Sequence, residues 1–160
     1  MVGLLKRIED FAGFEAMIVM TDQRSRLDPR ERAIIIEEHL RSVNPKWRDG
    51  WFEYNFEQSS LRIGGVGLTS LSKSKSTLAG LQPRHLDLSG SQVANLTKES
   101  GYGIESLDVR GCPIKTRGAI KRFIHLKELT ISPGQRDLND LLIRDAIPQW
   151  VKVIERELDE

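Results

Sequence analysis

The sequence predicts a mixed α/β fold, a solenoid of about four stacked coils that together form a short parallel sheet. Three observations predict it. Aliphatic residues recur at fixed offsets in "LRIGGVGLTSL" (61–71), "LDLSGSQVANL" (86–96), "LDVRGCPI" (107–114) and "LTISPGQ" (129–135). The starts of these copies are 25, 21 and 22 residues apart, a period at which stacked repeat architectures recur. Within each copy the residues at offsets 0 and 2 are apolar and those at offsets 1 and 3 are small or polar, the alternation of a half-buried strand.

The first 27 residues come before any repeat. Leu4, Ile8, Phe11 and Ala12 have helical spacing, interrupted by Gly13, and "TDQRSRL" (21–27) reads as a linker. Whether this segment packs on the repeats or docks elsewhere stays open. Asp28-Pro29-Arg30-Glu31 then reads as a helix start. Asp28 can accept from exposed amides, Pro29 suits the first helical position, and Glu31 sits three residues after the cap. The helix is expected to end near Ser42, before Asn44-Pro45, with Ile34, Ile35, Ile36 and Leu40 packing on the first coil beside Trp47 and Trp51. "WFEYNFEQSSLRI" alternates Phe52, Tyr54 and Phe56 with polar neighbours and turns at "EQSS", so it is expected to form a capping hairpin with the first repeat strand.

In each copy Leu61/Ile63, Leu86/Leu88, Leu107/Val109 and Leu129/Ile131 are expected to stack inward as columns. A single coil cannot hide its apolar side, so the coils must stack. After the fourth copy, Leu138, Leu141, Leu142 and Ile147 give a short capping helix that stops at Pro148. A strand from Trp150 to Ile154 follows. The expected organisation is residues 1–50 as an N-terminal helical appendage and cap, and 51–160 as the repeat domain with its C-terminal cap.

These residues resemble the leucine-rich repeat family, whose template is L-x-x-L-x-L-x-x-N/C-x-L. The third copy carries the template most fully, with Ile104, Leu107, Val109, Cys112 and Ile114. With the following "KTRGAIKRFIHLKEL" it is similar to the cysteine-containing subtype with a helical convex segment. The resemblance covers roughly residues 52–154, and "ISPGQ" with the final amphipathic segment resembles short bacterial repeat domains, some attached to protein kinases. The ladder position holds Val66, Ser91, Cys112 and Gly134, never asparagine. The fold implied is a leucine-rich repeat solenoid, and the function implied is protein or peptide binding by the strand face.

Composition narrows the function classes. Lys plus Arg is 24 against 23 for Asp plus Glu, so no overall field draws the chain to nucleic acid or an anionic membrane. One cysteine, Cys112, excludes an internal disulfide framework and fits a reducing compartment, so a cytoplasmic location is expected. "FAGFEAMIVM" (11–20) is too short and too interrupted for a membrane span, and Glu9, Asp10 and Glu15 spoil it as a signal peptide. "GGVG" (64–67) lacks a phosphate-loop lysine and dinucleotide spacing and reads as a tight turn.

The outward side of the strands is the expected partner surface: Arg62, Asp87, Asp108 and Thr130 at offset 1, Gly64, Ser89, Arg110 and Ser132 at offset 3, and Ser60, His85, Ser106 and Glu128 just before the strands. Asp87 beside Asp108 suggests a basic partner, or a solvated face neutralised by Arg62 and Arg110. An acid–base dyad of His85 with Asp87 or Asp108 can be drawn, but no other catalytic element accompanies it, so no enzyme activity and no cofactor are expected. His39 and His125 read as surface or satisfied histidines, no third convergent metal ligand is found, and Cys112 reads as a packed residue. The alternative reading is anion or nucleic-acid binding by "RGCPIKTRGAIKRFIHLK" (110–127), chiefly Lys115, Arg117, Lys121 and Arg122, although aromatic residues for base stacking are nearly absent there. A second alternative is a regulatory domain of a larger signalling protein.

Overall fold

The computed structural model describes residues 27–71, 77–96, 103–115, 120–135 and 147–158. The expected N-terminal helical segment and the expected capping helix over 138–147 lie outside the described residues, apart from Ile147. Among the described residues the chain is mixed α/β, with one α-helix and one open six-stranded sheet. The elements run α1 (Pro29–Val43), β1 (Trp51–Asn55), β2 (Ser60–Gly64), β3 (His85–Asp87), β4 (Ser106–Asp108), β5 (Glu128–Ile131) and β6 (Lys152–Glu155). Strand order in space equals order in sequence.

Helix α1 starts as its sequence dictates. The Asp28 side chain accepts from Arg30 N at 2.7 Å and Glu31 accepts from Asp28 N at 3.2 Å, a reciprocal capping box. Ile36 and Leu40 are buried against the core, whereas Ile34 is half exposed, one of three consecutive isoleucines that a helix of 3.6 residues per turn cannot bury together. Beyond the helix, Asn44 is buried and fully engaged. Its Nδ2 donates to Leu40 O and Ser70 O at 2.8 Å each, and its Oδ1 accepts from Thr69 N and Ser70 N at 3.0 Å. This one side chain ties the helix end to the segment after β2. Arg41 adds a second tie, pairing with Glu37, donating to Trp47 O and Gly50 O, and lying 4.5 Å over the Trp47 ring. Buried Trp47 donates from Nε1 to Gly64 O at 2.8 Å, which fixes the helix and its following loop on β2.

Strands β1 and β2 form the expected hairpin, with Phe52 opposite Ile63 and Tyr54 opposite Leu61 on the inward side. Trp51 pairs with Gly64 and so points to the other side of the sheet, away from α1. From β2 onward every pairing is parallel. Leu61, Leu86, Leu107, Leu129 and Val153 lie side by side in one column. Ile63, Leu88, Val109 and Ile131 form the second, and all eight residues of the four expected pairs are buried. At roughly 1.5–3 kcal/mol for each fully buried aliphatic side chain, these columns are the main apolar contribution to the core. Opposite them, Leu71, Leu78, Leu96, Ile104, Ile120, Phe123 and Leu126 complete it. The expected helical segment of the third copy is a 3-10 turn, Ile120–Arg122, among the described residues. The final strand begins at Lys152, two residues later than expected, leaving Trp150 exposed in the preceding turn.

The ladder position departs from expectation in two copies. After β3 and β4 a tight turn closes with Ser91 N donating to Leu88 O and Cys112 N to Val109 O. Its closing residue enters the core. In the first copy the turn closes two residues later, with Leu68 N donating to Gly65 O, so Val66 sits at the turn's centre and is 79% exposed. In the fourth copy Pro133 inserts one residue, Gln135 N donates to Ser132 O, and Gly134 is left outside. The inward series is therefore Ser91, Cys112 and Gln135. Cys112 Sγ donates to Leu88 O at 3.0 Å and lies 3.3 Å from Ser91 Oγ. Gln135 Nε2 donates to Val109 O at 2.9 Å and Cys112 O at 3.0 Å. Both therefore bind the offset-2 carbonyl of the copy before.

Gln135→Ala removes the side-chain donor from those two carbonyls, which keep only their backbone donors, Cys112 N and Ile114 N. Urea unfolding is expected to show a loss of about 1–3 kcal/mol, whereas Ile34→Ala on the exposed side of α1 changes stability by less than about 0.5 kcal/mol.

Candidate functional site

Strand pairing brings the expected surface residues together in rows. In the row before the strands, Ser60 is beside His85, His85 beside Ser106, Ser106 beside Glu128, and Glu128 beside Lys152. In the central row Glu53 is beside Arg62, followed by Asp87, Asp108, Thr130 and Ile154. With neighbouring strands about 4.8 Å apart, the rows make one surface that is polar from β1 to β5 and ends in Ile154 on β6 in the central row.

The adjacent acids are present and each is answered by an arginine. Arg62 Nε lies 3.5 Å from Asp87 Oδ2, and its Nη1 is 3.7 Å from Glu53. Arg110 binds Asp108 through Nε and Nη2 at 3.0 Å each. Each aspartate also has a backbone role that the strand alternation alone does not suggest. Asp87 accepts from Ser89 N at 2.8 Å and Asp108 from Arg110 N at 3.0 Å, holding the turn that follows each strand. The sequence signal is the repeated L-D-x-x-G, whose Gly90 and Gly111 sit at φ 69° and 70°, a conformation that disfavours any side chain.

Exposure sorts the expected residues. Arg62 and His85 are exposed, Glu128 is partly exposed with Lys152 Nζ at 3.6 Å, and the Asp87 side chain retains 31% of its surface. Asp108 and Arg110 keep only 18% and 11%. Ser89 and Thr130, expected outward, are buried. Ser89 neighbours Gly64, over which the Trp51 ring lies, so the hairpin covers that end. Thr130 is flanked by Asp108 on one side and by Ile154 of β6 on the other, so this short side chain has no free edge. No hydrogen bond joins His85 to Asp87 or Asp108 among the described residues.

The last described residues add a contact that the repeat pattern does not predict. Past β6, Glu157 O accepts from Arg110 Nη1 at 2.6 Å, and the Leu158 side chain comes to rest against Gly90 and Gly111. Residues 157 and 158 thus lie over the outward side of the turns that follow β4 and β3.

Below the strands a second line of charges is paired. Lys127 Nζ binds Glu105 at 2.6 Å, with Arg84 at 3.8 Å, and these cations hold the Glu105 carboxyl below its ordinary range, the Lys127 hydrogen bond being the main cause. The basic segment 110–127 is therefore divided. Arg110 and Lys127 are held by acids, whereas Lys115, Lys121 and Arg122 are exposed with no acidic partner among the described residues. Arg117 lies outside the described residues. His125 is exposed and His39 half-buried.

No family model, no curated protein and no solved structure matches this chain. Among the described residues no group of three or more His, Cys, Asp or Glu side chains is placed to hold a metal ion, and no helix is long and apolar enough to cross a membrane. Burial pushes the Cys112 thiol up to about 11, so this cysteine is a hydrogen-bonded core residue held in its protonated form.

Asp108 is the titrating group to follow. Burial raises its pKa above the ordinary carboxylate value and the Asp87 charge adds to this, against the pull of Arg110. A raised folded-state pKa gives stability that is complete below the unfolded value of about 3.9 and is lost as pH rises through the folded value. Asn at this position can still accept from Arg110 N. Urea unfolding of Asp108→Asn from about pH 4 to 7 is expected to show the stability difference moving in the variant's favour as pH rises.

Proposed function

We propose that the chain is a leucine-rich repeat solenoid of about four coils and a non-enzymatic interaction module. Its strand face binds a protein or peptide through Arg62, His85, Asp87 and Glu128, with Asp108 and Arg110 as a buried-edge support. One observation carries this reading. Five parallel strands in constant register hold an unbroken row of charged and polar side chains whose backbone positions are fixed by the buried columns beneath them. A surface fixed in advance loses little conformational entropy on association, which is what a binding module requires. Exposed charges at the rim of such a contact set registry and association rate, so the partner is one that offers a cation to Asp87 and an anion to Arg62. The support from fold is by analogy with other repeat domains. A regulatory segment of a larger signalling protein is one setting in which such a module works.

The test uses Asp87→Asn/Asp108→Asn, because asparagine keeps the backbone acceptor that alanine removes. Affinity capture from the source cells followed by mass spectrometry is expected to recover a partner with the unaltered chain. Titration of that partner is expected to be at least tenfold weaker with the double variant. Equal affinity for both contradicts the strand-face reading.

A further inference from the structure

The contact made by Glu157 and Leu158 combines a hydrogen bond with a seated side chain. At the far end of the strand face the outward surface has no side chains at two neighbouring turn positions. Gly90 and Gly111 follow β3 and β4, and a Cβ on Gly111 would stand 3.8 Å from the Gly90 backbone, so the two lie one against the other, while Gly64, the last residue of β2, lies beside Ser89. The result is a flat backbone shelf. Trp51 borders it from β1, with its ring over Gly64 and its Cη2 3.8 Å from where a Gly90 Cβ would stand. The same Gly90 position is 3.8 Å from Leu158 Cδ2, and the Gly111 position is 3.6 Å from it. One leucine therefore spans two turns and faces the bordering indole.

Polar groups complete the arrangement. Arg110, clamped by Asp108, donates to the carbonyl of Glu157, the residue before the leucine. The Trp51 Nε1 donor is buried and has no acceptor among the described residues. Such a shelf reads an extended chain by one main-chain carbonyl and by the aliphatic side chain that follows it, which is recognition of main chain for affinity and side chain for selectivity. The described residues seated there are 156–158, and in the sequence "RELDE" (156–160) the leucine has an acidic residue on each side.

We propose that the shelf of Trp51, Gly90, Gly111 and Arg110 is a docking site for an extended, acidic, leucine-bearing peptide segment, and that the chain's own residues 156–158 are its resident occupant. The segment continues directly from β6 and is held to β5 by the Arg156 N to Ile131 O bond, so its local concentration at the shelf is high. A partner segment of the same chemistry takes the shelf only by displacing it. Leu158 retains 43% of its surface, so the resident contact is a partial burial that such a segment can exchange with. This inference concerns the covered end of the strand face and stands separately from the reading of its open rows.

The full chain carrying Leu158→Asp empties the shelf without touching a core residue. In nitrogen–proton correlation spectra the Gly90 and Gly111 amides and the Trp51 indole are expected to move from their positions in the unaltered protein, with Leu158→Ala moving them the same way by less. Adding an acetylated peptide of sequence RELDE to the Leu158→Asp protein is expected to return all three signals toward their original positions saturably. The same peptide with alanine in place of leucine is expected to bind about tenfold or more weakly. Unmoved signals in Leu158→Asp overturn the proposal, as does a peptide that fails to restore them or an alanine peptide that restores them equally well. No cellular partner enters this experiment, so its failure is distinct from failure of the strand-face reading.

Discussion

The structure depends on one constraint: each parallel strand must meet its neighbour in the register that sets Leu61 beside Leu86, Leu86 beside Leu107 and Leu107 beside Leu129. A slip by one residue turns every side chain over, sending leucine to the solvent and Asp87 or Asp108 to the core. Burying an unpaired carboxylate costs several times what an exposed leucine loses. Because the strands β3 and β4 are only three residues long, they have little length over which to enforce the register themselves. The turns enforce it. Each aspartate holds the amide two residues on, and Ser91, Cys112 and Gln135 close the turns from inside, the last two reaching carbonyls of the preceding copy.

That division explains what was legible in the sequence. The columns were legible because burial imposes a strict alternation on Leu61/Ile63, Leu86/Leu88, Leu107/Val109 and Leu129/Ile131, and alternation is a pattern of residue type. The capping box of α1 was legible for a similar reason: Asp28, Pro29 and Glu31 each do a local task. Turn closure is not a pattern of type. Val66 and Gly134 occupy the same offset as Ser91 and Cys112 yet lie outside, because a two-residue delay and the inserted Pro133 move the closing residue to Leu68 and Gln135. Offset counting assumes constant turn length, and the insertion breaks that assumption.

The candidate surface was legible in its rows and not in its exposure. Alternation assigned Arg62, His85, Asp87, Asp108 and Glu128 to the outward side, and the pairing places them there. Whether an outward residue meets solvent depends on what else crosses that side. Trp51 reads as a core aromatic, but its pairing with Gly64 sends it outward, where it shelters the region of Ser89. The return of residues 156–158 over Arg110 follows from no periodicity at all, since it rests on one carbonyl and one leucine beyond the final strand. The charge balance of the surface follows from the same crowding. Paired acids at the centre are tolerated because an arginine lies beside each, and the more enclosed of the two, Asp108, is the one whose ionisation the fold resists.

Register is the claim on which both the polar rows and the glycine shelf stand, and scalar coupling transmitted through hydrogen bonds reads it directly. In a long-range nitrogen–carbonyl correlation experiment the Leu88 amide is expected to couple to the Asp108 carbonyl and the Val109 amide to the Thr130 carbonyl, matching separations of 2.9 Å each. Couplings displaced to the neighbouring carbonyls, or partners on any strand other than the next in sequence, contradict the account.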